Sequence, residues 1–233
     1  MSTLGLFCLC WTLGLYALCK RLYRRWSHLW LTPALVVPAL TVALLLITGI
    51  PYSIYQLDTR WVLWLLGPAT VAFAVPIYQY RGIIRRHWLA LAIGVVAGMA
   101  MALLSAWLLA RGLHFDETLS RSLLVRSIST PFALALSDHV GGSRQIVAIL
   151  TVITGLVGMF VGDAVLALLR LRSTVAQGAA FGASAHGFGT ARARERHDEE
   201  GVVASLTMVI AGVVMVLIGP PLVNGLIALF GAP

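Results

Sequence analysis

Residues 174–190 read TVAQGAAFGASAHGFGT, with Gly178, Gly182, Gly187 and Gly189 around a histidine, His186. Each glycine costs a helix about 0.8–1 kcal/mol relative to alanine, so the four together cost roughly 3–4 kcal/mol. That is enough to unwind part of the segment. Irregular backbone at membrane depth survives only when buried in protein or facing a wet cavity. A second stretch, 119–142, has the same character. Its run SRSLLVRSISTPFALALSDHVGG holds Arg121, Arg126, six hydroxyl residues and Pro131. Neither stretch reads as a simple span. Broken helices in corresponding halves of a chain point to a transporter's substrate site.

The rest of the chain sets these two stretches in a membrane. Of 233 residues, 59% are hydrophobic and 11% charged, whereas a soluble domain carries about 25% charged residues. Mean hydropathy is +0.90. A soluble globule of this size has no way to hide that much apolar surface. The composition therefore argues against a soluble enzyme or a nucleic-acid-binding domain. The net charge of +8 reads as basic cytoplasmic loops, with no nucleic acid as partner. A spanning helix needs roughly 20 apolar residues. Besides 119–137 and 174–190, the candidate segments are 4–19, 29–50, 61–80, 87–110, 145–169 and 201–230. The expected fold is an all-α integral membrane domain covering 1–233. It has six full spans plus two broken or re-entrant helical segments, 119–142 and 174–190, in the manner of an inverted-repeat transporter. Trp26, Trp30, Trp61 and Trp64 fall near segment ends, where indoles favour the lipid headgroups. Cys8, Cys10 and Cys19 share the first segment and read as small apolar residues facing lipid or other helices. With no basic stretch ahead of it and no small-residue cleavage site, that segment reads as a retained span.

Charge placement fixes an expected layout. If both broken segments enter and leave on one side and the other six cross, an outside N-terminus puts 12 basic residues in the cytoplasm and 5 outside. Lys20, Arg21, Arg24, Arg25, Arg81, Arg85, Arg86, Arg170, Arg172, Arg192, Arg194 and Arg196 are the 12. Full crossing by both broken segments worsens the count to 10 against 7. The first layout agrees better with the positive-inside rule. It makes 87–142 and 145–190 units of opposite orientation. The locale expected is a bacterial cytoplasmic membrane.

A small carboxylate crossing a membrane needs hydrogen-bond donors and cations near the midplane. Ser127, Ser129 and Thr130 immediately precede Pro131, and hydroxyl residues followed by proline start helices. A half-helix beginning at 129 would aim its positive end into the protein. The plain alternative is a capped proline kink. Arg126 has two readings, a carboxylate anchor or a side chain snorkelling to the outer headgroups. His186, flanked by Gly187 and Gly189, either meets substrate or bonds a backbone carbonyl freed by the glycines. Thr190 and Arg192 follow it, Arg192 as a cation at the mouth or an ordinary loop residue. Asp163, inside an apolar span, is either functional or held by an arginine or a hydroxyl. Glu195, Asp198, Glu199 and Glu200 read as a solvated loop and helix start. Gly94 and Gly98 suit close helix packing. No metal-ligand cluster, nucleophile–base pair or nucleotide-binding loop has diagnostic spacing. The expectation is a protein that is not an enzyme and needs no cofactor.

Three stretches resemble the LrgB/CidB family of bacterial membrane proteins: Leu66–Tyr78 (LGPATVAFAVPIY), Arg126–Gly142 (RSISTPFALALSDHVGG) and Gly178–Gly201 (GAAFGASAHGFGTARARERHDEEG). The family's lysine before the Thr-Thr-Pro segment is Arg126 here, which keeps the charge but changes donor geometry. The serine usually beside the histidine is Ala185, with Ser184 one place earlier. On a helix that moves the hydroxyl by about 100°. The resemblance implies a membrane transporter, or transport subunit, for small monocarboxylates such as pyruvate, glycolate or glycerate, as in a related plastidial glycolate/glycerate translocator. It also carries the older description of the family as holin/antiholin-like, modulating murein hydrolase export and autolysis. It implies a small LrgA/CidA-like membrane partner. The substrate-binding set expected is Arg126, Ser127, Ser129, Thr130, Ser184, His186, Gly187, Gly189, Thr190 and Arg192. A homo-oligomer, most simply a dimer, is the expected assembly.

Overall fold

The computed structural model describes residues 3–26, 28–72 and 74–230, and among them every regular element is a helix. In chain order these are α1 (Thr3–Arg25), a short 3-10 helix (Leu29–Leu31), α2 (Pro33–Thr48), α3 (Tyr52–Trp64), α4 (Leu66–Ala72), α5 (Ala74–Gln79) and α6 (Arg81–Gly112). Then come α7 (Glu117–Leu124), α8 (Thr130–Val140), α9 (Arg144–Leu169), α10 (Thr174–Arg196) and α11 (Asp198–Phe230). The chain divides into two compact units, 1–71 and 72–233.

Four of these helices, α1, α6, α9 and α11, are long and apolar enough to cross a membrane. They answer the segments expected at 4–19, 87–110, 145–169 and 201–230. The segment at 29–50 yields α2, whose 16 residues reach only about 24 Å. The span expected at 61–80 does not form as one helix. α3 ends at Trp64 and a new helix starts at Leu66. The reason is Pro68, which donates no N–H to a ladder continuing from α3. Residues 52–60, between the segments expected at 29–50 and 61–80, are helical and bury Asp58 and Thr59.

In the first unit α1 packs against α2 and α3. Thr12 Oγ1 donates to the Cys8 carbonyl at 2.8 Å and lies 3.3 Å from the Tyr55 hydroxyl. Cys8 and Cys19 are buried there, Cys10 is exposed, and all three are free thiols.

In the second unit α11 is the central element. Of its most apolar stretch 61% is buried, against 22% for α6 and 17% for α9. A helix that is apolar all round belongs inside. Around α11 a core forms from Leu103, Trp107, Leu124, Phe132, Leu136 and Met208, contributed by α6, α7, α8 and α11 itself. The outward faces of α6 and α9 carry exposed Ile93, Val96, Leu104, Ile149, Ile153 and Val157, the surface a bilayer would cover.

Glycines set how closely α10 approaches its neighbours. A methyl at Gly94 or Gly98 of α6 would sit 3.9 and 3.1 Å from Ala179 and Ala183 of α10. That is the close packing their spacing suggests. A methyl on Gly158 of α9 would run into Ala185, and one on Gly178 of α10 into Glu200 and Val203 of α11. The α10 glycines therefore do not unwind the segment along its length. Removing Cβ atoms lets backbones approach closely, which is how helices associate without a hydrophobic drive between them.

Candidate functional site

The two segments read from the sequence as broken are both helical hairpins. In the first, α7 ends at Leu124, residues 125–129 leave the helix, and α8 begins at Thr130 with Pro131 in its first turn. Proline pushes the residue before it away from helical geometry and supplies no N–H. The hairpin's two ends are tied together. Arg121 of α7 bonds Glu117 at 2.8 Å and donates to the Val140 carbonyl at the end of α8 at 2.9 Å. The Ser122 hydroxyl accepts from the Ser143 backbone N–H at 2.9 Å. Arg121 thus caps the C-terminal carbonyls of α8, where a cation is favoured.

The second hairpin is α10 itself. A straight helix would hold Gln177 and Arg196 about 28 Å apart. Instead Arg196 Nη2 donates to Gln177 Oε1 at 2.6 Å. The reversal sits at His186, with φ 48° and ψ −125°. That backbone suits glycine and strains any residue bearing a Cβ. The break thus falls on the histidine and not on any of the glycines around it. Thr174 donates to Glu199 at 2.7 Å and again brings the ends together.

The tips of the two hairpins meet. His186 is 3% exposed, and its polar neighbours are the Ser127 backbone carbonyl and the Arg126 guanidinium. Neither ring nitrogen makes a hydrogen bond of normal geometry, and the Ser129 hydroxyl, also buried, has no partner. Ser129 is the N-cap of α8, yet its side chain makes no capping bond. Arg126 Nη1 makes only long contacts, 3.4 Å to Thr154 Oγ1 of α9 and 3.5 Å to Ser127 Oγ. Buried polar groups are nearly always paired, because each orphan costs about 1–3 kcal/mol. Here three orphan atoms and a loosely held arginine collect where two half-helices start, α8 at 130 and the second arm of α10 at 187. Such starts offer unpaired backbone N–H groups and a positive dipole end. The arrangement is chemically suited to a small anion.

The tip brings together Arg126, Ser127, Ser129, Thr130 and His186, with Gly187 at the turn. The other expected residues lie elsewhere. Ser184 is exposed and bonds its own helix at the Ala180 carbonyl, 2.7 Å away. Gly189 is buried in the contact between the arms of α10, facing Phe181 and Ala185. Thr190 faces α11, 3.9 Å from Met208 Sδ. Arg192 is in an ion-pair network at the base of the second hairpin. It binds Asp163 at 2.6 Å and Glu195 at 3.0 Å. Asp163 is therefore an arginine-held carboxylate, and Glu200, expected on a solvated stretch, is buried against Arg196 at 3.0 Å. Thr154 is the site residue that the sequence does not single out, one of two threonines in the apolar helix α9.

Comparison with known proteins accords with the resemblance carried by the motifs. Residues 12–224 match the LrgB-like family. A Bacillus subtilis (strain 168) relative called uncharacterized protein YwbG is 34% identical over 221 residues, covering 95% of this chain and 98% of its own. The antiholin-like protein LrgB of the same organism is 32% identical over 193 residues, covering 83% of this chain and 84% of its own. A third relative there, uncharacterized protein YxaC, is 32% identical over 209 residues, 90% of this chain and 91% of its own. No solved structure matches. The family match runs through both compact units and all three motifs, and the chain belongs to the LrgB-like family of membrane proteins.

Proposed function

We propose that this protein is a secondary transporter, or the transport subunit of one, for small monocarboxylates such as pyruvate, glycolate or glycerate. The observation that carries the reading is the meeting of two hairpin tips around buried polar groups, Ser129 Oγ without a partner and a His186 ring with no hydrogen bond of normal geometry. A carboxylate at the tips accepts from the Ser129 hydroxyl, a ring N–H of His186 and the backbone N–H groups that open α8 and the second arm of α10. Arg126 supplies the compensating charge. The substrate leaves chemically unchanged, so the protein is a carrier and not an enzyme. Its driving force is an ion or substrate gradient.

The proposed layout keeps six crossings, four by α1, α6, α9 and α11 and two by the shorter helices between Pro33 and Gln79, with two re-entrant hairpins, in the bacterial cytoplasmic membrane with the N-terminus outside. Its support is that each hairpin has its two ends tied together, and that a long apolar helix, α6 or α9, precedes each one. Opposite hairpins meeting tip to tip are the arrangement inverted repeats produce. A cysteine placed at Arg172, in a background lacking Cys8, Cys10 and Cys19, is expected to resist an impermeant thiol reagent added outside. Labelling from outside would reject the layout.

A second reading, a holin/antiholin-like regulator of murein hydrolase export acting by oligomerisation, is favoured by the similarity to antiholin-like protein LrgB. Uptake of labelled pyruvate, lactate, glycolate and glycerate into proteoliposomes, with and without a small LrgA/CidA-like partner, separates the two. Saturable uptake of at least one acid is expected. Its absence even with the partner present would favour the regulator.

A further inference from the structure

Asp163 is held by two arginines at once. Arg192 directs Nε and Nη2 at Oδ2, at 2.8 and 2.6 Å. Arg196 directs Nη1 at Oδ1, at 2.7 Å. The remaining nitrogens of both guanidiniums are also engaged, Arg192 Nη1 with Glu195 at 3.0 Å, Arg196 Nε with Glu200 at 3.0 Å and Arg196 Nη2 with Gln177 at 2.6 Å. Two cations thus face three carboxylates, of which Asp163 alone comes from outside α10 and α11. The cluster is open to water: the side chains of Asp163, Arg192 and Arg196 are 30%, 25% and 28% exposed. It lies six to ten residues beyond His186, roughly 9–15 Å along the second arm of α10.

A purely structural tie would be an extravagant use of two guanidiniums on one water-accessible carboxylate. Partly exposed ion pairs contribute little to stability, because water and salt screen them. The same accessibility makes exchange with a mobile carboxylate easy. We propose that Arg192 and Arg196 form a second carboxylate subsite, a way station between the cytoplasmic mouth and the hairpin tips, and that Asp163 occupies it in the absence of substrate. This rests on the monocarboxylate reading above. Two guanidiniums do not accommodate a fourth carboxylate beside Glu195, Glu200 and Asp163, so substrate and Asp163 exclude one another. Substrate arriving at the pair displaces Asp163, and the departing Asp163 removes the ion pairs that join α9 to the second arm of α10.

The competition has a measurable signature. Asp163→Asn keeps the shape of the side chain and removes the charge that competes with substrate. Its KM for labelled pyruvate, read as initial-rate uptake in proteoliposomes, is expected to fall about 5- to 150-fold, the range of ordinary coupling between two ligands. Asp163→Ala is expected to do the same without an amide to take the place of the carboxylate. Arg196→Gln is expected to raise KM. Saturable wild-type uptake together with an unchanged or raised KM in both Asp163 variants would overturn the subsite and leave the transporter reading standing. Absence of saturable uptake in the wild type would overturn both. If Asp163→Asn does not accumulate in the membrane, Asp163→Ala together with Arg196→Gln decides the matter by the opposite signs of their KM changes.

Discussion

Ser129→Ala is expected to cut uptake roughly ten- to hundredfold, the worth of a hydrogen bond to a charged group at about 1.5–3 kcal/mol, while the protein stays as stable as the wild type. The second half of that statement makes the first informative. Removing a serine N-cap ordinarily costs about 0.5–2 kcal/mol, because the hydroxyl was bonded to a helix N–H. Ser129 makes no such bond, and its oxygen is buried without a partner. Alanine therefore removes a desolvated orphan and leaves the helix start as it was. Thr130→Val is expected to cost less, since Thr130 is only half-buried. Uptake normalised to folded protein, measured beside thermal unfolding in detergent, checks both. Lower stability with unchanged normalised uptake would make Ser129 a structural cap after all.

The sequence marks where the two hairpins are, but not how they turn. Pro131 behind a run of hydroxyls is a local signal: proline and its neighbours restrict their own backbone whatever surrounds them, so the break at 125–129 could be read directly. The glycines of 174–190 misled on the turn itself. They announce departure from an ordinary span, yet Gly178, Gly182 and Gly189 serve close approach to α11 or to the other arm. The reversal is at His186, a residue no propensity scale would choose for φ 48°. Only tertiary contacts place it there, and those join residues far apart in the chain. Ala185 illustrates the limit. Its departure from the family's serine is visible in the sequence, but the structural counterpart, Gly158 of α9 against which it packs, carries no local mark. The same holds for Asp163, whose partners are 29 and 33 residues away. Arg170, the basic residue nearest to it along the chain, is not among them.

The backbone at His186 yields the last expectation, a reversal of the usual order of two small residues. In a helix interior alanine is more stabilising than glycine by about 0.8–1 kcal/mol. At φ 48°, ψ −125° a Cβ costs about 1–2 kcal/mol that glycine does not pay. Both His186→Gly and His186→Ala remove the same imidazole and leave nearly the same space behind. The difference between them thus reports the backbone alone, free of the cavity each creates. His186→Gly is expected to be the more stable by about 1–2 kcal/mol, read as the higher unfolding temperature in matched detergent or lipid. Both variants are expected to lose uptake by at least roughly tenfold, since neither can donate to a carboxylate at the tips. His186→Gln, which retains a donor and an acceptor, is expected to fall between these and the wild type. Equal stabilities for the glycine and alanine variants would mean that α10 runs through residue 186 without the turn. The hairpin, the meeting of the tips and the carboxylate site built on it would then fall together. The glycine variant more stable than the alanine variant, with both inactive, is the result expected of a strained turn that holds a ligand-binding histidine in place.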